Sequence, residues 1–296
     1  MPQYNQLDPT ILFAPTFILF FGLMFSDAFY GIIVLLIAHL LYKNYRAYSA
    51  ALSDLSRVLM WFGFSSIFFG LLTGSFLGDF LGKYLLGRPE GSQAIALWMD
   101  PMYGSNIMLF IEFALVVGLL HTLLGYFFGT VDALKRGEYK NAILNYATMI
   151  TFPFGLIAYF ALGARAGLLV AGASLLLLFV GAGLMSFYIK VSGMLGSVVS
   201  YARLLALMAS SAGIAMTVNF LASLSLSIPH VGVIIAPLVF IFGHVINLAL
   251  NMLGSFVHSL RLHYVEFFGT FYEGGGVEFA PFAEARKYSI VQKEVE

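Results

Sequence analysis

The sequence contains no cysteine and very little charge: 15 Lys plus Arg and 15 Asp plus Glu in 296 residues, or 10% of the chain. Without thiols there is no disulfide framework, no thiolate nucleophile and no cysteine-type zinc site. A formal net charge of zero gives no hint of nucleic acid as a partner. No GxxxxGK[ST] phosphate loop occurs, so any ATP hydrolysis belongs to another chain, and no cofactor is implied. The first ten residues are polar and lack a basic n-region, so no cleavable signal is read there. A soluble domain carries about 25% charged residues. The shortage here, with 60% hydrophobic residues and a mean hydropathy of +0.90, indicates an all-α, polytopic transmembrane helical bundle in the lipid bilayer.

A span takes ~20 apolar residues. About eight are read, at roughly 9–25, 28–42, 59–81, 107–131, 142–162, 166–187, 195–224 and 231–271. The first two come from one long apolar run, interrupted by Pro15 and by "FSDAFYG". "YKNYRAYSAALSDLSR" and "DALKRGEYK" read as connectors, "GKYLLGRPEGSQ" as the start of a polar loop, and Lys190 as part of a short link between the sixth and seventh spans. At ~1.5 Å per residue the last stretch exceeds the bilayer, so a long tilted final helix pair is expected. Lys43, Arg46, Arg57, Lys135, Arg136, Lys140, Lys190, Arg286, Lys287 and Lys293 fall on one side of this layout, against Lys83, Arg88 and Arg165 on the other. The positive-inside rule then places the C-terminus in the cytoplasm, and the N-terminus too if the count is eight rather than seven. "FYEGGGVEFAPF" reads as a helix stop and turn.

Two basic residues remain inside spans. Arg203 sits in "SVVSYARLLALMASSAGI" and Arg261 in "HSLRLHYVEFF". An arginine near a helix end can snorkel to the interface. However, His244, Asn247, Asn251, Gly254, His258 and Arg261 are spaced by 3, 4, 3, 4 and 3 residues, which predicts one polar helix face. The seventh span has a shorter stripe of Ser200, Arg203, Ser210 and Thr217. Polar residues in a bilayer face protein or water. Ser and Asn suffice as interhelical glue, but a guanidinium wants an anion, and neither stripe contains a carboxylate. Glu266 lies five residues past Arg261, on an adjacent face. The arginines are therefore expected to face a carboxylate supplied from outside the chain. The acids Asp27, Asp79 and Glu112 also fall inside or at the edges of spans. They read first as supports for helix breaks and packing, and second as members of an ion path.

These stretches resemble a known family. "SYARLLALMASSAGIA" and "HVINLALNMLGSFVHSLRLHYVEFFGTFYEGGGVEFAPF" are similar to the last two helices of the membrane domain of subunit I, or subunit a, of V/A-type rotary ATPases. "FFGLMFSDAFYG", "GLLTGSFLGD" and "HTLLGYFFGTVDALKRGEYKNAI" are similar to its earlier helices, and the "FYEGGG" ending is of the bacterial or archaeal kind. The resemblance implies a non-hydrolysing stator subunit in a cell membrane. Its partners would be a rotating proteolipid ring with one carboxylate per ion site, the peripheral stalks and other rotary ATPase subunits. The transported ion would be H⁺ or Na⁺. By the same resemblance Arg203 and Arg261 are the pair that meets the ring carboxylate. Glu266, His258, Asn251, Asn247, His244, Ser200, Ser210 and Ser211 become candidates for two offset aqueous half-channels, and no metal site is implied. At ~4 Å and an effective dielectric of 20, a guanidinium favours an ionised carboxylate by about 4 kcal/mol. It also repels cations and so closes a direct leak.

Two departures from the family pattern stand out. Eukaryotic members carry an acid where this chain has Asn251 and a histidine where it has Ser211. The family also has a large cytoplasmic N-terminal arm, whereas this sequence starts at its first membrane helix. The expectation is either a fragment or a member whose arm is a separate protein. Two rival readings remain at the level of sequence. One is a secondary transporter whose arginines clamp an organic anion. The other is a non-transporting anchor in which the arginines are structural.

Overall fold

A computed structural model describes residues 10–87, 97, 106–162, 165–272 and 274–276. Arg88, most of the polar loop after it, Glu273 and the tail with Arg286, Lys287 and Lys293 lie outside the described residues, as does the expected position of the C-terminus. The described residues form a helical bundle. Six helices are long and apolar enough to cross a membrane, and two shorter apolar helices, Leu12–Phe25 and Arg165–Gly181, accompany them.

Helix α1 (Thr10–Phe25) ends at a break that Asp27 organises. The Asp27 backbone is extended (φ −138°, ψ 118°), and its carboxylate caps α2 (Ala28–Tyr45) by accepting from the amides of Phe29 and Tyr30 at 3.0 and 3.1 Å. The second carboxylate oxygen accepts from the Ser75 hydroxyl at 3.0 Å and the Gly78 amide at 3.1 Å. One side chain thus ties the start of α2 to the chain segment after α3. This geometry is the helix-break reading of that acid.

Helix α3 (Ala50–Thr73) starts on a Ser49 cap and stops at Gly74, which is left-handed (φ 73°) as helix-ending glycines are. The span read at 59–81 is therefore corrected at both ends. The connector before it is helical from Ala50, because Ser49 nucleates the turn. Residues 74–79 are not helical, because Gly74, Leu77 and Gly78 all have positive φ. α2 and α3 pack backbone to backbone. A Cβ on Gly31 would lie 2.9 Å from the Ile67 nitrogen, and one on Gly63 3.0 Å from the Gly31 oxygen. Such close approach drives helix association where lipid removes the hydrophobic gain. α1 fills the centre. Its Phe17, Phe21 and Phe25 pack with Tyr30 and Phe62, and its Phe20, Leu23 and Met24 with Ala114, Tyr201 and Leu204.

Helix α4 (Asn106–Lys135) leads into a short α5 (Tyr139–Asn141), a π-helical turn at Ala142–Ala147 and α6 (Thr148–Leu162). Helix α7 (Arg165–Ser200) is interrupted at Gly183 (φ 76°, ψ 165°). This corrects the expected link at Lys190, which lies in regular helix. The break falls at glycine, which reaches positive φ without a Cβ clash. After Tyr201 the chain continues as α8 (Ala202–Ser225). α9 (Gly232–Arg261) runs on through a π-helical turn at Leu262–Phe267 into α10 (Phe268–Phe271). The stretches 183–225 and 232–271, of 43 and 40 residues, are the long final pair.

Replacing Asp27 by Ala should strip four donors of their shared acceptor, and the cap and buried-donor terms together are worth roughly 2–4 kcal/mol. Unfolding in mixed detergent micelles should show a loss of that size. An unchanged midpoint would refute the tethering role of Asp27.

Candidate functional site

Helices α8 and α9 run antiparallel, with Arg203 in the first turn of α8 and Arg261 at the end of α9. Both guanidiniums therefore lie toward the end of the bundle that carries the basic connectors. Arg203 is half-buried and its Nη1 is buried without a partner; Arg261 is exposed. Neither has a carboxylate at ion-pair distance among the described residues. Both act electrostatically on His258 and on Glu266, and the Ser200 hydroxyl also faces Glu266. Glu266, in the π turn after α9, is only 4% exposed. Its Oε2 has no partner, and neither does the buried Nδ1 of His258.

The stripe on α9 does not keep to one face. His244, Asn247 and Asn251 are buried, Gly254 and His258 half-buried, and Arg261 exposed. The reason is the mismatch of spacing and pitch. Seventeen residues at 3.6 per turn fall about 100° short of five full turns, so the stripe winds from the interior to the surface. The buried side continues instead through Ser255, Ser259, His263 and Glu266. Sequence reading missed Ser255, Ser259 and His263, although their four-residue spacing continues directly from Asn251.

Toward the opposite end, a hydrogen-bonded chain links α9 to α8, α2 and the segment 74–79. Asn219 donates both Nδ2 hydrogens, to the Leu77 carbonyl at 2.8 Å and to Asp79 Oδ1 at 2.9 Å. Its Oδ1 can then only accept, from His244 Nε2 at 3.0 Å. A neutral His244 must in turn accept at Nδ1 from the Tyr30 hydroxyl at 2.7 Å. Tyr30 accepts from Asn247 Nδ2 at 3.0 Å, and that amide also donates to the Ser211 carbonyl at 3.1 Å. Asn251 donates to Ser211 Oγ at 2.5 Å. The amides at both ends fix the His244 tautomer. Asn247 Oδ1 remains buried and unpartnered, and a water-sized ligand would satisfy it.

A third group lies between the two. The His121 Nδ1 meets the Tyr201 hydroxyl at 2.6 Å, and its ring stacks on Phe267 at 4.4 Å. His263 binds the Ser259 carbonyl at 2.8 Å and Thr16 Oγ1 at 2.8 Å. Tyr30, Asn219 and Tyr201 gave no sequence signal, because each acquires its partner from a segment distant in sequence. Among the predicted residues, Ser200 is half-buried and bonds the Gly196 carbonyl, Ser210 is exposed and outside these networks, and Ser211 is buried within the chain from Asp79. Asp27 belongs to the break between α1 and α2. Glu112 is corrected: it is exposed, because α4 buries the face that carries Phe110, Ala114 and Gly118.

Comparison with known proteins bears on this arrangement. Residues 192–284 match the sequence profile of the V-type ATPase 116kDa subunit family. The chain is 36% identical, over 98% of its length and 47% of the relative's, to the A-type ATP synthase subunit I of Methanocaldococcus jannaschii. It is 38% identical to that of Methanothermobacter thermautotrophicus, over 98% of this chain and 44% of the relative. The V-type ATP synthase subunit I of Borreliella burgdorferi is 25% identical over 97% of this chain and 51% of its own. The chain spans about half the length of the curated relatives it matches.

Removing the Tyr30 hydroxyl (Tyr30→Phe) should leave His244 Nδ1 without its donor, at about 1–3 kcal/mol for an unsatisfied buried group. A double-mutant cycle with His244→Leu, read by unfolding in micelles, should show coupling of that sign. Additive effects would refute the link.

Proposed function

We propose, since this chain belongs to the subunit I family of A-type and V-type ATP synthases, that it forms the stationary wall of a rotary ion path. The observation that carries this reading is the pair Arg203 and Arg261, held on facing ends of α8 and α9 without a carboxylate of their own at ion-pair distance. A charge kept this way in an apolar bundle costs several kcal/mol. A carboxylate arriving on the proteolipid ring of a rotary ATPase would offset that cost. The fold leaves room for such a partner. A Cβ on Gly213 would meet nothing within 4 Å, and one on Gly254 only a Leu207 methyl at 3.9 Å.

The two polar systems supply the half-channels. The chain from Asp79 to Asn251 approaches from the side opposite the basic connectors, and Glu266 with Ser200 and His258 approaches from the connector side. If that side is cytoplasmic, the ion, H⁺ or Na⁺, enters by one and leaves by the other. Between them the arginines strip it from the ring. The subunit hydrolyses no ATP itself and takes its torque support from peripheral stalks.

In the reconstituted complex, Arg203→Gln should leave subunit composition unchanged and lower ATP-driven ion uptake by roughly a hundredfold or more, the scale of a lost close charge pair. Normal uptake by that variant would overturn the stator reading.

A further inference from the structure

A cavity of about 270 Å³ opens beside Glu266, and its walls include Asn145, Lys190 and Ser197. Two π-helical turns border it. One, at Ala142–Ala147, carries Asn145, and the other, at Leu262–Phe267, carries Glu266. Gly193 and Gly269 form part of the wall, and a Cβ on either would meet nothing within 4 Å. The space is therefore left open by the absence of side chains.

Lys190 is the cation in this wall. Its Nζ donates to Asn145 Oδ1 at 2.6 Å, Asn145 donates to Asn141 at 2.5 Å, and Asn141 donates to Glu138 at 2.9 Å. Every link points the same way, from the ammonium to a carboxylate on the exposed connector. The amide ladder holds Lys190 in place without neutralising it at close range, and among the described residues its other two N–H donors have no hydrogen-bond partner. Across the cavity, Glu266 keeps an oxygen buried and unpartnered. Arg203 and Arg261 already act on that carboxylate.

Resting on the stator reading above, we infer that this cavity is a proton-only vestibule to Glu266, from which Lys190 excludes metal cations. A hydrated Na⁺ would have to sit near a fixed ammonium and beyond it meet two guanidiniums. A proton does not need to reside there as a cation. It exchanges along hydrogen-bonded water to the free oxygen of Glu266, while the water nearest Lys190 keeps its oxygen toward the ammonium.

The chain has no cysteine, so a single Ser197→Cys reports on the cavity, with labelling read on this subunit by mass in the assembled complex. An anionic sulfonatoethyl methanethiosulfonate should react about tenfold or more faster than its trimethylammonium counterpart, after correction for intrinsic rates. Lys190→Gln should collapse that preference and Lys190→Arg should keep it. Gly193→Leu, which fills open space, should stop labelling by both reagents. A cationic reagent that reacts equally fast, a preference that survives Lys190→Gln, or no labelling of Ser197→Cys would overturn the vestibule. ATP-driven turnover that requires Na⁺ would overturn proton selectivity while leaving the stator reading intact. That reading falls only if Arg203→Gln pumps normally.

Discussion

A buried polar group in an apolar bundle has no water to fall back on, and most of this structure is a response to that constraint. Asp27 meets it with four donors, Asn219 with three partners and His244 with one partner at each ring nitrogen. The few polar atoms left without partners then become informative. Among them, Arg203 Nη1, His258 Nδ1 and Glu266 Oε2 belong to residues coupled to one another, Asn247 Oδ1 lies on the same long helix as His258, and His121 Nε2 and Thr122 Oγ1 lie on α4. A bundle that satisfies a deeply buried aspartate so completely has the means to satisfy an arginine. Arg203 and Arg261 have no carboxylate at ion-pair distance among the described residues, and that is the gap the proposed stator function would fill.

Much of this was legible from the residues. Composition set the class, the apolar runs set most of the helices, and the two arginines stood out because nothing near them in sequence could pair with them. The glycine-flanked Asp27 was legible as a helix break. What stayed hidden was of two kinds. Helix boundaries follow capping groups, so Ser49 and Gly74 moved both ends of α3 away from the apolar limits at 59 and 81. Long-range polar pairs have no periodicity to reveal them: Tyr30 and His244 are 214 residues apart. Lys190 was misread for a related reason, since a lysine between two apolar runs suggests a link. The actual break is at Gly183, whose backbone rather than whose polarity defines it.

The two polar systems differ in kind. In the chain that starts at Asp79, amides of Asn219 and Asn247 flank the histidine and the tyrosine, and an amide fixes hydrogen-bond direction without carrying a proton onward. In the proposed half-channel that chain orients Tyr30 and His244, and the unpartnered oxygen of Asn247 is where a water would be held. Around Glu266 the opposite holds: a carboxylate with a spare oxygen borders open space lined by glycines.

The winding of the stripe on α9 gives that helix two surfaces at once. Its middle turns present His244 and Asn247 to neighbours within the chain, and its last turn presents Arg261 outward. A rod of this kind is indexed like a screw thread, so phase along it matters as much as residue identity. Inserting one residue between Asn251 and Arg261 would turn the outward end by about 100° while conserving every existing side chain. Length in this segment is therefore under as strong a constraint as chemistry.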